Sequence, residues 1–230
     1  MRPRPSPSKQ PAGLPNAPRP ASADPSIPVE TARTRILNAA LTVFRTQGYA
    51  ATTVDDLCRA AGATKGAFFH HFESKEAAGL AAVAHFASFT GQLFETAPYW
   101  QVEDPRARLL AYLDFRATLV RGELPEFTCL FGMLVQETFA SHPALQAACG
   151  ASIESHARTL VPTIEAAKAR HAPEADWSAQ SLARHIQAVL QGGFVLAKAF
   201  SDPAAALDAI AHLERYVEAL LPTRRRRGSA

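Results

Sequence analysis

Residues 31–76 read TARTRILNAALTVFRTQGYAATTVDDLCRAAGATKGAFFHHFESKE, and this stretch decides the fold. Ile36, Ala40, Val43 and Phe44 recur at helical spacing and make one apolar face of a helix over 32–47. Gly48 is placed to stop it. Thr53 can cap a second short helix over 54–61, with Val54, Leu57, Cys58 and Ala61 turned inward. Gly62 supplies a tight turn, and a third short helix follows over 65–71. Two short helices joined by a glycine-bearing turn and braced by a preceding helix make a helix-turn-helix. Its second helix is the one that enters the major groove of DNA.

The residue types on that helix suit the task. Thr64 and Lys65 stand at its N-terminus, where backbone N–H groups and the helix dipole attract phosphate. Gly66 and Ala67 are small enough to let the backbone approach base edges. Phe68 and Phe72, four apart, are expected to pack back onto the first helix, leaving Phe69, His70 and Lys75 toward the DNA backbone. His70 and His71 are adjacent, so they point about 100° apart and are poorly placed to share a metal ion.

The order Gly48-Tyr49-x-x-Thr52-Thr53-Val54, Leu57, Ala60-Ala61-Gly62, then Lys65-Gly66-x-Phe68-Phe69-His70-His71-Phe72-x-Ser74-Lys75-Glu76 resembles the DNA-binding domain of the TetR family of transcription regulators. The expected DNA-facing set is Arg33, Thr53, Thr64, Lys65, Gly66, Ala67, Phe69, His70 and Lys75. Phe69 stands where the family usually carries tyrosine, which removes a hydroxyl suited to phosphate. The resemblance further implies a larger C-terminal body that holds a small-molecule effector, and a homodimer reading an operator in double-stranded DNA, more often as a repressor.

Composition and charge agree with a basic reader on an acidic body. Residues 31–72 hold five Arg/Lys against Asp55 and Asp56, whereas 73–223 hold eleven against seventeen Asp/Glu. Such asymmetry points to an anionic partner for the basic part. Residues 1–30 carry many prolines and little apolar bulk, and the notable tail is Arg224–Arg227 within 223–230. Both ends are expected to be disordered. The three cysteines are far apart with no CxxC pair, which fits a reduced cytoplasm. No uninterrupted apolar run approaches the ~18 residues of a membrane helix, so no membrane partner is expected.

Beyond residue 75 the pattern predicts six more helices, near 75–97, 105–121, 126–140, 143–170, 177–200 and 203–221. The whole is therefore read as all-α: a three-helix helix-turn-helix domain over 31–75, then a six-helix ligand-binding and dimerisation body over 76–222. Aromatics with a few polar groups suggest an apolar pocket lined by Phe89, Tyr112, Arg116, Phe131, Met133, Gln136 and His156. Residues 182–200 are apolar nearly all round and carry Gly192-Gly193 in mid-helix. Such a helix needs burial on two sides, so Ile186, Val189, Gly192, Gly193, Leu213 and Val217 are expected at a dimer interface. GxGxxG, GxxxxGK[ST], HExxH, GxSxG and EF-hand patterns are lacking. No enzyme, cofactor or metal site is therefore expected. The alternative is a redox or metal sensor on the same fold, using Cys129, Cys149 and His156.

Overall fold

A computed structural model describes residues 31–223 of the chain. The Pro-rich segment 1–30 and the run Arg224–Arg227 lie outside the described residues, and so do the expectations attached to them. Helices α1 (Ala32–Gln47), α2 (Val54–Ala61) and α3 (Lys65–His71) have the bounds their caps dictate. Thr31 Oγ1 accepts from Thr34 N, and Thr64 Oγ1 accepts from Ala67 N, each at 3.1 Å. At α2 the cap is reciprocal. Asp56 N donates to Thr53 Oγ1 at 3.2 Å, while Thr53 N donates to Asp56 Oδ2 at 2.9 Å. Hydrogen bonds from Thr53, first its backbone, hold the Asp56 carboxyl down to about 2.

The remaining described helices are α4 (Lys75–Glu95), α5 (Pro105–Thr118), α6 (Leu124–Phe127), α7 (Leu130–Thr138), α8 (Pro143–His171), α9 (Ala179–Phe200) and α10 (Ala204–Leu220), with a 3-10 turn at Pro98–Gln101. Ser74, Asp104 and Ser178 cap α4, α5 and α9 with their side chains. No strand occurs among the described residues. The body has seven α-helices rather than six, because the helix expected over 126–140 is broken. A Glu123–Glu126 capping box with Pro125 in the first turn starts α6, and Thr128, extended at ψ 151°, ends it after one turn. α8 stays helical on both sides of Pro162. Among the described helices, α4 with its extension to Gln101 is apolar enough by composition to span a membrane. In the fold its Ala78, Ala82, Val83 and Phe86 are buried in protein.

Two apolar cores run through the bundle. The first joins Ile36, Ala40 and Phe44 of α1 with Leu57, Phe68 and Phe72, and continues into Phe86, Leu130, Leu134, Leu145 and Cys149. The three N-terminal helices thus share one core with α4, α7 and α8. Each fully buried Leu or Phe contributes about 1.5–3 kcal/mol by leaving water. The second core gathers Leu109, Tyr112, Leu113, Leu160 and Ile164 with apolar positions of α9 and α10.

That second core corrects the expected dimer face. Ile186, Leu213 and Val217 are buried within the protomer. Gly193 is buried as well, because α10 crosses closest there: a Cβ added at Gly193 would lie 3.0 Å from the Ala209 Cβ and 3.4 Å from the Ala206 Cα. Val189 is half-buried, and of the six only Gly192 is exposed. The outward stripe is a different one, made of Val195, Leu196 and Phe200 of α9 with Leu207 and Tyr216 of α10. Gly193→Leu is therefore expected to pry α9 from α10 inside each protomer. Overpacking of this kind costs about 1–3 kcal/mol, and urea unfolding is expected to show a loss of that size. An unchanged midpoint would refute the close approach.

Candidate nucleic-acid interface and the cavity behind it

The outward face of α3 carries Lys65, Gly66, Phe69 and His70, with Ala67 half-buried beside them. Phe68 and Phe72 anchor the opposite face, and Phe68 meets Phe69 edge-on at 5.3 Å. Phe69 remains 55% exposed. Thr53 and Thr64, both exposed, sit at the starts of α2 and α3 with their hydroxyls engaged as caps. At Gly66 an added Cβ would meet nothing closer than Thr64 Oγ1 at 3.8 Å, so the α3 backbone is open to approach. Lys65 Nζ pairs with Asp55 at 2.9 Å, and that hydrogen bond raises the lysine pKa and keeps it charged. Both side chains are more than half exposed, so the pair is weak enough for phosphate to replace the carboxylate. Arg33 is exposed and lies over the Phe72 ring at 5.6 Å.

Lys75 departs from its expected place among the phosphate contacts. Its Nζ donates to the Tyr49 and Thr52 carbonyls, each at 2.9 Å, and sits 4.3 Å from the Tyr49 ring centroid. Burial lowers its pKa from the ordinary value, with the Glu137 charge opposing. The ammonium thus fastens the start of α4 to the α1–α2 turn. Glu137 of α7 reaches the same turn, where its Oε2 accepts from Ala50 N at 2.8 Å. Gly48 there has φ +88° and lies against the Glu137 carboxylate, so a side chain would be both strained and blocked.

Arg45 makes the third tie. From α1 its Nε donates to Leu41 O at 2.8 Å, and its Nη1 to the Glu126 and Thr128 carbonyls at 3.2 and 3.3 Å. Those two carbonyls flank the break between α6 and α7. Desolvation lowers the Arg45 pKa from its usual value. Lys198 of α9 then donates to Arg45 O at 2.8 Å.

Behind this junction lies a cavity of about 1420 Å³, open to solvent and walled by α1, α4, α5, the α6–α7 connection, α8 and α9. Of the expected pocket residues, Phe89, Arg116, Phe131 and His156 line it. Tyr112 does not: it is buried behind His156, its hydroxyl 3.0 Å from His156 Nε2. Met133 and Gln136 also fall outside. The Met133 sulfur takes a 3.3 Å contact from Lys198 Nζ, and exposed Gln136 folds back to donate to Gly132 O at 2.7 Å. Sequence reasoning missed Arg45, Gln187, Gln191 and Phe194 as lining residues. The signal in reach was the pair of glutamines, 187 and 191, one turn apart among the apolar positions Ile186, Val189, Leu190 and Phe194. Burial pushes the His156 pKa down to about 3, with the Arg116 charge adding to the effect, so the imidazole is neutral.

The sensor alternative gains nothing from this geometry. Cys149 is buried and desolvation raises its thiol to about 12, which leaves no thiolate to react at neutral pH. Among the described residues no three His, Cys, Asp or Glu side chains gather to hold a metal.

Comparisons with known proteins follow the same lines. Residues 36–78 match the family of bacterial regulatory proteins called tetR, and residues 105–213 match a tetracyclin repressor-like C-terminal domain. The transcriptional regulator AcuR of Cereibacter sphaeroides is 26% identical over 188 residues, covering 82% of this chain and 86% of that protein. The HTH-type transcriptional repressor KstR2 of Rhodococcus jostii is 50% identical over 44 residues, 19% of this chain and 22% of its own. The crystal structure of a regulatory protein TetR from Rhodobacter sphaeroides superposes with a TM-score of 0.71 at 25% identity, over 80% of this chain and 98% of that one.

The state of His156 is directly measurable. An unfolded chain takes up its histidine proton near pH 6.5, whereas folded His156 resists until about 3. Its contribution to stability is therefore present above about 6.5 and lost as pH falls toward 3. An NMR titration is expected to leave one imidazole unchanged between about pH 5 and 8, and that signal is expected to vanish in His156→Gln. A midpoint for His156 within that range would refute the buried neutral state.

Proposed function

The chain belongs to the tetR family of bacterial regulatory proteins, and on that premise we propose that it is a homodimeric, ligand-released repressor of a palindromic operator. It is a DNA-binding transcriptional regulator and not an enzyme. In this reading residues 31–75 read DNA and residues 76–222 respond to a small molecule and dimerise. A DNA partner places the work in the cytoplasm. Two copies of α3, held by a two-fold axis, would enter successive major grooves about 34–36 Å apart. Lys65, with Arg33 nearby on α1, would meet phosphate, while Gly66, Ala67 and His70 approach base edges. Thr53 and Thr64 would stand at two helix starts facing the DNA, with the Thr53 hydroxyl held by Asp56 and the Thr64 hydroxyl accepting from Ala67 N.

One observation carries the release mechanism: α1 of the reader is itself a wall of the cavity, through Asn38, Leu41, Thr42 and Arg45. A ligand that fills the space would touch α1 and α4 directly. Ligand and operator would then favour different spacings of the two α3 helices. Such coupling is typically about 1–3 kcal/mol. Dimerisation would use the outward stripe of Val195, Leu196, Phe200, Leu207 and Tyr216, left uncovered within the protomer. Obligate interfaces bury ~2,000 Å² or more, and paired α9 and α10 helices supply a face suited to that.

Two measurements test this reading. On DNA selected by the protein from a random-sequence pool, Lys65→Ala is expected to weaken binding and lower the salt slope by about one. Lys75→Ala is expected instead to lower the unfolding midpoint, because it removes the ammonium from two carbonyls. A Lys65→Ala salt slope equal to wild type would refute α3 as the phosphate-contacting helix. Leu196→Glu is expected to turn a sedimenting dimer into a folded monomer that no longer binds the palindrome. A dimer that survives this charge would refute the α9–α10 face.

A further inference from the structure

Of the three arginines in the wall, Arg45 is held by carbonyls and Arg121 is exposed, whereas Arg116 is half-buried and its guanidinium has no hydrogen-bond or ion-pair partner among the described residues. It projects from α5 between two rings, with its Cζ 5.2 Å from the Phe94 centroid and 5.8 Å from that of Phe194. Ring faces stabilise a cation but leave its five N–H donors unsatisfied. A half-buried guanidinium in that state is under-solvated, and an incoming anion relieves it. The lining acids do not neutralise it. Glu95 and Glu126 are both exposed, and the Glu126 carboxylate already accepts from Glu123 N at 2.8 Å.

The neighbouring polar groups are donors as well. Tyr112 O–H stands between Gln187 Nε2, at 3.5 Å, and His156 Nε2, at 3.0 Å. With the amide donating to the hydroxyl and the hydroxyl donating to Nε2, the neutral imidazole carries its proton on Nδ1. His156 then offers an N–H beside the Arg116 charge, which is close enough to act on its protonation. Arg45 is occupied by the Leu41, Glu126 and Thr128 carbonyls and Arg121 stands in solvent, so the half-buried Arg116 with one neutral donor matches a monoanion. Around these two lie Phe89, Phe127, Phe131 and Trp100, which suit a flat or chain-like apolar body.

Resting on the reading of this cavity as the effector site, we propose that the effector is an amphiphilic organic carboxylate, its carboxylate paired with Arg116 and hydrogen-bonded by His156, its apolar body among the phenylalanines. A planar guanidinium can take both oxygens of a carboxylate at once, and so selects it over an amide of the same shape.

The test compares matched acids and amides by titration calorimetry at pH 7. The probes are 4-phenylbutyrate against 4-phenylbutyramide, and octanoate against octanamide. The wild-type protein is expected to bind each acid at least about tenfold more tightly than its amide. Arg116→Gln is expected to bring the acids down to the level of the amides, with amide binding retained as proof of a folded cavity. Arg116→Lys, which keeps the charge but loses the planar fork, is expected to fall between. Equal affinity of acids and amides in the wild type, a preference that survives Arg116→Gln, or no binding of any probe would overturn the proposal. Acids that bind through Arg116 yet leave operator affinity unchanged in fluorescence anisotropy would support the anion site and overturn the cavity's role in release.

Discussion

The guanidinium of Arg45 holds the helix-turn-helix and the C-terminal body in one arrangement. It leaves α1, crosses to the break between α6 and α7, and takes the two carbonyls of Glu126 and Thr128. A helix that ends at Thr128 and restarts at Leu130 exposes backbone acceptors that need partners. A desolvated arginine likewise needs acceptors. Each group therefore resolves the other's burial cost, and losing either leaves an uncompensated polar group, typically worth about 1–3 kcal/mol. Because Lys198 donates to the Arg45 carbonyl, α9 is drawn into the same junction.

Three of the side-chain ties between the body and the first three helices fall at two places. Lys75 fastens α4 to the α1–α2 turn, Glu137 fastens α7 to the same turn, and Arg45 fastens α1 to the α6–α7 connection. A single apolar core continues beneath all three. Interiors packed to that density shift as units and do not deform continuously. The helix-turn-helix and the cavity wall are thus joined by packed side chains and hydrogen bonds.

The cavity itself is kept at a cost in packing. Filling it with side chains would add buried apolar area, yet the chain keeps open space whose walls include six phenylalanines and Trp100, with the unpaired Arg116 guanidinium inside. Cation–π contacts from Phe94 and Phe194 make that guanidinium tolerable without an anion. His156, kept neutral by burial, adds a donor without adding charge. The open space and the unpaired guanidinium cost the protein packing that a filled core would have.

The sequence alone was sufficient for the first three helices, because their determinants are local. Thr31, Thr53 and Thr64 cap within three residues, Gly62 turns the chain at φ 58°, and Ile36, Phe44, Leu57 and Phe68 sit where helical spacing aims them inward. The exposed face of α3 follows from the same spacing, so Lys65, Gly66 and His70 were legible before any fold was known. Lys75 was not, since a long flexible lysine points wherever the nearest acceptors are, and the carbonyls of Tyr49 and Thr52 come close only in the folded turn. Nor was the split into α6 and α7 legible, because its freed carbonyls are satisfied by an arginine some eighty positions earlier. An all-round apolar helix such as α9 says that two faces are covered but not which partner covers each. Only the crossing of α10 at Gly193 turned Ile186, Leu213 and Val217 inward and left Val195, Leu196 and Phe200 outward. Capping and periodicity act over a few residues and are written in order along the chain, whereas partner choice among faces depends on contacts that exist only once the helices have met.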